Sequence, residues 1–224
     1  MGIESVAETY VTLETLDYEL EAWLDETEPF RWRPVAPVAV DKLALLVVDM
    51  TKPFVDSQRP LATPNARAII PRIRKLVHGF RAASRPVIWV VQGHHSVDHD
   101  RGPHLSSWWP QPLLEGTDDV ALAAGLQAES HEKVIVKRRY SGFYQTDLEL
   151  TLRNLGVTQL VICGVLTNVC PYTTAFDAFL RDFEVYYPAD GTASLNRELH
   201  VNALKNVAAW CGYVVAVNDI TSRL

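Results

Sequence analysis

The sequence predicts an α/β protein, a three-layer α/β/α sandwich on a six-stranded, mainly parallel, doubly wound sheet. Three observations carry that expectation. Short β-branched apolar runs recur from residue 41 onward, segments with helical spacing separate most of them, and the runs are apolar at every position rather than at alternate ones. Strands that are apolar on both faces belong to parallel sheets covered on both sides. Right-handed crossovers then wind the chain into one open sheet with helices above and below it.

The six predicted strands are Leu43–Val48, Val87–Val91, Val134–Val136, Leu160–Val165, Val185–Tyr187 and Tyr213–Val217. Helices are predicted over Ala66–Ala82, Asp118–Ala128, Asp147–Asn154, Tyr172–Asp182 and Arg197–Cys211. The first carries Ile69, Ile70, Ile73, Leu76, Val77 and Phe80 along one side. The gap from Gly93 to Gly116, with Pro103, Trp108, Trp109, Pro110 and Pro112, reads as an irregular excursion over the sheet's edge or its active end. Six strands suit one domain, so residues 41–224 form a single unit.

Residues 1–40 read as an N-terminal arm, acidic as far as Glu28 and proline-rich over 33–37. Leu13, Leu16, Tyr18, Leu20 and Trp23 suggest a short helix within it. Leu13, Leu16, Trp23, Phe30 and Trp32 are too much apolar surface for a free tail. The arm therefore needs its own body or a partner subunit to lie on, and a homodimer or homotetramer is expected.

Composition excludes several classes. Of 224 residues, 48% are hydrophobic and 21% charged, which is ordinary globular material. The net charge of −6 has the wrong sign for gripping phosphates, so no nucleic-acid partner is expected. The longest apolar run, Leu43–Val48, is strand-sized, which argues against a membrane span. No basic segment followed by an apolar stretch opens the chain, and three cysteines are not a disulfide framework. A cytoplasmic protein is expected.

Ligands of open parallel sheets sit beyond the carboxyl ends of the strands. Asp49 follows the first strand, Gln92 to His95 the second, Lys137 the third, Thr167 to Cys170 the fourth and Ala189-Asp190 the fifth. Pro171 marks a helix start, so Cys170 stands at a helix N-terminus, where free N–H groups favour a thiolate. Cys163, inside a strand, and Cys211, on a terminal helix, read as small buried hydrophobes. Taken singly, Asp49 is equally a strand cap and Lys137 a surface lysine beside Arg138 and Arg139. Together they supply the base and the cation that a cysteine nucleophile needs.

Three blocks then resemble the signatures of the isochorismatase-like cysteine hydrolases. They are residues 43–50 (LALLVVDM), residues 137–143 (KRRYSGF) and residues 164–170 (GVLTNVC), in that order and at matching separations. The resemblance spans about residues 41–218 and leaves out the arm. It implies a Cys170–Asp49–Lys137 triad, with Cys170 attacking a carbonyl carbon and Asp49 shuttling its proton. It also implies a cis peptide at Val165–Leu166 that aims the N–H of Leu166, with that of Cys170, at the oxyanion. Family members that cleave the vinyl ether of isochorismate lack this cysteine. Its presence implies C–N hydrolysis of a small carboxamide, carbamoyl or ureido substrate through a thioester.

The departures from the family pattern are informative. Where Asp-x-Gln-x-Asp-Phe is common, this chain keeps Asp49 and Phe54 but carries Thr51 and Pro53. Metal-binding nicotinamidases carry an Asp-x-His shortly afterwards; here Asp56 has no histidine two residues on. The His94, His95, His99 and His104 loop, with Asp98 and Asp100 nearby, reads as solvated. No metal and no cofactor are expected. The alternatives are a metal-assisted nicotinamidase-like hydrolase and a catalytically silent binding or assembly relative.

Candidate substrate contacts are Phe54, Arg59, Trp108, Trp109, Tyr140, Phe143 and Tyr172, with Arg59 and Arg139 as possible carboxylate clamps. Asp49 and Lys137 oppose one another at the thiol, which leaves the helix terminus to tip Cys170 toward the anion.

Overall fold

In the computed structural model, which describes residues 6–97, 99–109 and 111–224, seven parallel strands make one sheet. Asp98 and Pro110 lie outside the described residues. The strands are β1 (Leu43–Val48), β2 (Val87–Gln92), β3 (Lys133–Lys137), β4 (Gln159–Val165), β5 (Glu184–Pro188), β6 (Thr192–Ala193) and β7 (Tyr213–Val215). Their order is β3-β2-β1-β4-β5-β7, with β6 beside the end of β4. All six predicted strands are present. The seventh, β6, has two residues and pairs Gly164 with Thr192 and Val165 with Ala193. That is too short to leave a periodic trace in the sequence.

The helices are α1 (Leu16–Thr27), α2 (Lys52–Val55), α3 (Ile70–Ala82), α4 (Pro103–Trp108), α5 (Leu148–Asn154), α6 (Cys170–Phe179), α7 (Arg197–Trp210) and α8 (Val217–Thr221). They cover both faces of the sheet. In β1, alternate residues part company. Ala44, Leu46 and Val48 join the core under α1, α5, α6 and α7, while Leu43, Leu45 and Val47 join the one under α3 and α8. Every residue of β1, β2 and β4 is buried, the requirement of a sheet sandwiched between helical layers.

Several boundaries differ from the sequence expectation, among them that of α6, which runs Cys170–Phe179 rather than Tyr172–Asp182. Helix α3 begins at Ile70 rather than Ala66, because Pro71 needs no backbone donor and supplies a helical φ in the first turn. The predicted helix Asp118–Ala128 is a single 3-10 turn, Asp118–Val120, followed by extended chain. There the Lys52 N–H donates to the Ala121 carbonyl and the Ala123 N–H to the Met50 carbonyl, both at 2.9 Å, and these bonds compete with a helical ladder. The last strand stops at Val215, and Val217 opens α8.

The N-terminal segment lies on its own body. Leu16 and Trp23 of α1 are buried in the core over α7, so they no longer argue for a partner, while Leu13, Phe30 and Trp32 remain exposed. Arg72 of α3 clasps the segment to the sheet. It pairs with Asp17 of α1 and lies 3.2 Å from the buried carboxylate of Asp190, which also accepts the Val217 N–H at 2.8 Å. Among the described residues, no helix is long and apolar enough to cross a membrane.

Gly164 is fixed by close approach. Its φ is +114°, and a Cβ there would lie 1.9 Å from the Val48 carbonyl oxygen on the paired strand. Gly164→Ala is therefore expected to destabilise the fold by more than about 4 kcal/mol or to prevent folding, as read by urea denaturation. Asp190 generates a pH prediction. Burial pushes its carboxyl up to about 6, against the pull of the Val217 N–H and Arg72. A raised folded-state pKa favours the protonated form, so this contribution is complete below about pH 4 and fades as pH rises through 6. The unfolding free energy of wild type relative to Asp190→Asn should fall by up to about 3 kcal/mol between pH 4 and 7. A difference that grows over that range would refute the assignment.

Candidate active site

Asp49, Gln92 and Lys137 meet because three adjacent strands end at one level. Gln92 and Lys137 are register partners at the ends of β2 and β3. Asp49 follows β1 in a left-handed conformation, φ 53°, which aspartate tolerates better than most side chains. Its backbone N–H donates to the Val90 carbonyl at 2.8 Å, and its Oδ1 accepts the Gln92 backbone N–H at 2.8 Å. The Lys137 ammonium lies 2.8 Å from Asp49 Oδ2 and donates to Gln92 Oε1 at 2.8 Å. Both members of this ion pair are essentially sealed from solvent, at 0% and 1% side-chain exposure.

The lysine sets the direction of the neighbouring hydrogen bonds. It has only donors, so it takes the oxygen of Gln92, and the amide nitrogen of Gln92 faces His94 Nε2 at 3.1 Å. That nitrogen must accept, which places the His94 proton on Nδ1, 3.5 Å from Asp100 Oδ1. Burial pushes the His94 pKa below its ordinary value, consistent with a neutral ring.

Cys170 is the first residue of α6, followed by Pro171 in the first turn. Its carbonyl accepts from the Thr174 hydroxyl at 2.7 Å, and that hydroxyl oxygen accepts the Gly142 N–H at 2.9 Å. The segment after β3 is thereby tied to the turn that carries the thiol. The Val165–Leu166 peptide, just before that turn, is cis.

The electrostatics correct one expectation. Burial pushes the Cys170 thiol well above its ordinary range; Lys137 pulls it down, and Asp49 adds to the rise. Desolvation at this depth outweighs the helix terminus, so the resting group is a thiol rather than a thiolate. For Lys137, burial opposes the charge, but Asp49 and then Cys170 outweigh it and hold the ammonium above its usual range.

A pocket opens over this cluster. Asp49, Gln92, His94, Val165, Leu166, Val169 and Cys170 line it together with the mainly apolar Phe54, Leu61, Leu105, Trp109, Leu113 and Tyr140, and with Arg101 and Gln111. Phe54, Trp109 and Tyr140 thus stand where the sequence reading puts them, and the Trp109 indole donates to the Tyr140 hydroxyl at 2.7 Å.

Four of the seven candidate contacts lie elsewhere. Phe143 is core, stacked 5.9 Å from Phe183 under the Arg181 guanidinium. Tyr172 packs on Phe176 at 5.0 Å. Arg59 pairs with Asp119 at 3.6 Å. Trp108 is 79% exposed and joins Arg139 in a shallow recess that shares Leu105 and Tyr140 with the pocket. Arg101, rather than Arg59 or Arg139, lines the pocket. Its side chain is buried on the pocket wall and donates to the Gln111 carbonyl at 3.1 Å. Only the strand-end rule pointed to Gln92 and His94, and no local pattern distinguishes Arg101 from other loop arginines.

The residues present do not fit a metal of the nicotinamidase type. Asp56 accepts the Gln58 N–H at 3.1 Å and faces Arg67 at 3.7 Å. His94 of the histidine loop is buried rather than solvated, and His95, Asp100 and Glu115 come close enough together to share an ion. Arg138 already occupies that position. It lies 2.7 Å from Asp100 and pairs with Glu115 as well.

A doubly wound sheet with a cysteine at a helix start and a buried lysine–aspartate pair at the adjoining strand ends defines a class of α/β proteins with a potential nucleophile. The model of the isochorismatase domain matches residues 43–219, and the chain belongs to that family. It is 33% identical to nicotinamidase 3 of Arabidopsis thaliana, over 81% of this chain and 88% of the relative. It is 34% identical to a ureidoacrylate amidohydrolase of Methylobacterium radiotolerans, over 84% and 82% respectively. A cysteine hydrolase from Pseudomonas syringae superposes with a TM-score of 0.82 at 27% identity, over 86% of this chain and 97% of that one.

Lys137→Met tests the ion pair. It leaves the Asp49 carboxylate buried without its cation, so stability should fall by about 3–5 kcal/mol. Loss of the positive charge also removes the influence that pulls the Cys170 thiol down, so alkylation of Cys170 by iodoacetamide at fixed pH should slow. Unchanged stability and an unchanged alkylation rate would reduce Lys137 to a spectator.

Proposed function

We propose that this protein is a cysteine-dependent amidohydrolase that cleaves a C–N bond of a small carboxamide, carbamoyl or ureido compound. The observation that carries this reading is the placement of Cys170 on the pocket wall beside the buried Lys137–Asp49 pair. Its similarity to a nicotinamidase and to a ureidoacrylate amidohydrolase supports the same chemistry.

The resting thiol sets the order of events. Cys170 Sγ attacks the carbonyl carbon as its proton passes to the Asp49 carboxylate. The N–H groups of Leu166 and Cys170 receive the developing oxyanion, each worth about 3–4 kcal/mol of barrier. Collapse of the tetrahedral species breaks the C–N bond. The proton held by Asp49 goes to the leaving nitrogen, and ammonia or an amine departs from a thioester. Water then attacks the thioester carbonyl and gives a proton to Asp49, which returns it to the departing sulfur. The acid is released, and thiol and carboxylate are restored. Lys137 stays charged throughout and offsets the negative charge that moves between sulfur and Asp49.

The mainly apolar wall of Phe54, Leu61, Trp109 and Leu113 suits a compact, largely apolar substrate body.

An ammonia-release screen over carboxamides, carbamoyl amino acids, ureides and aromatic amides identifies the substrate. With that substrate, Cys170→Ala should retain binding and lose at least ~10³-fold in kcat. Quenched wild-type turnover should show an acyl adduct on Cys170 by peptide mass analysis. Full activity in Cys170→Ala would overturn the covalent mechanism, and wild-type protein inert toward the whole panel would overturn the proposed function.

A further inference from the structure

The N-terminal segment lies outside the family match, yet it reaches the residues behind the active-site turn. Asn65, fully buried, holds it in place. The Asn65 carboxamide oxygen accepts the N–H of Tyr10 at 3.0 Å and of Val11 at 3.3 Å, and its nitrogen donates to the carbonyls of Glu8 and Ser194, both at 2.9 Å. The Glu8 N–H also donates to the Leu195 carbonyl at 2.9 Å.

Two routes lead from there to the turn Leu166–Val169, which precedes Cys170. In the first, the Tyr10 hydroxyl accepts the Ser194 N–H at 3.0 Å, and Ser194 Oγ donates to Asn168 Oδ1 at 2.5 Å. In the second, Tyr10 and Trp23 pack on the buried His200 ring, at centroid distances of 5.4 and 4.3 Å. His200 Nδ1 in turn shares a hydrogen bond of 2.8 Å with Thr167 Oγ1. Burial pushes the His200 pKa down to about 3, so this ring stays neutral and the contact does not depend on protonation. Thr167 is held from the body side as well, by the Tyr187 hydroxyl on its carbonyl at 2.7 Å and by its own N–H on the Ala193 carbonyl at 2.9 Å.

We infer that residues 8–23 are a positioning element of the active site, in which Tyr10 and Trp23 set the Thr167–Asn168 turn through Ser194 and His200. The inference rests on the proposed function for its kinetic consequence and on geometry alone for its structural one. A displaced turn misaims the Leu166 N–H while leaving Cys170, Asp49 and Lys137 in place. Misplacement of catalytic groups by about 1 Å costs up to ~10²-fold in rate.

The test compares full-length Tyr10→Phe, Ser194→Ala and their double variant with an unrelated core lesion, Ile220→Ala on the opposite face of the sheet. Tyr10→Phe and Ser194→Ala should each lower kcat about ten-fold with KM within two-fold, and the double variant should lose less than the product of the two. Alkylation of Cys170 by iodoacetamide, which needs the thiol but no oxyanion site, should keep its wild-type rate. Deuterium uptake by the peptide covering residues 164–170 should quicken in both variants and not in Ile220→Ala. Wild-type kcat and unchanged uptake in Tyr10→Phe would overturn the inference, as would equal effects from Ile220→Ala. If the wild type hydrolyses nothing in the panel, the proposed function fails separately, and the uptake comparison still decides whether the segment holds the turn.

Discussion

A lysine and an aspartate with almost no exposure to water define this molecule, because two buried charges tolerate little freedom around them. Removing each ion from water costs several kcal/mol, and only close, well-directed partners offset that. Asp49 is supplied with the Gln92 N–H as well as Lys137, and Lys137 with Gln92 Oε1 as well as Asp49. Cys170 is the third member of the cluster, its thiol in contact with both charges. The pair therefore dictates the orientation of the Gln92 amide, the tautomer of His94 and the environment of the thiol.

The parallel sheet makes such a pair possible. Strands β1, β2 and β3 run side by side with every residue of β1 and β2 buried, so their carboxyl ends present side chains at one height against a dry background. β4 reaches the same level only because Gly164 lets its backbone press against the Val48 carbonyl. A larger residue there would force β4 away from β1. Thr174 then ties the chain after β3 to the first turn of α6, its hydroxyl accepting the Gly142 N–H and donating to the Cys170 carbonyl.

Burial also sets the state of the Cys170 thiol. A helix terminus and a neighbouring cation commonly produce a standing thiolate. At Cys170 the same two influences are present, but desolvation and the Asp49 charge prevail. Under the proposed mechanism, the nucleophile forms only as the proton leaves for Asp49, in step with attack.

Much of the fold was legible because it follows from local patterns. Continuous apolar runs announce buried parallel strands, Pro171 announces a helix start, and the strand-end rule brings Asp49, Lys137 and Cys170 to one rim. The sequence by itself thus determined the α/β class, the strand count but for two-residue β6, and the three residues of the charged cluster. It did not determine whether an aromatic or an arginine faces the pocket. Phe143 turned into the core, Tyr172 packed half-buried against Phe176, Trp108 turned outward, and Arg101, from an irregular loop with no periodicity, reached the wall instead of Arg59. It also left open whether the N-terminal segment rests on its own body, which Asn65 and Arg72 settle through contacts 54 to 57 residues away in the chain. Only the tertiary structure decided these points, and the state of the thiol with them. Burial depth and long-range contact are properties of the assembled layers, and no window of sequence contains them.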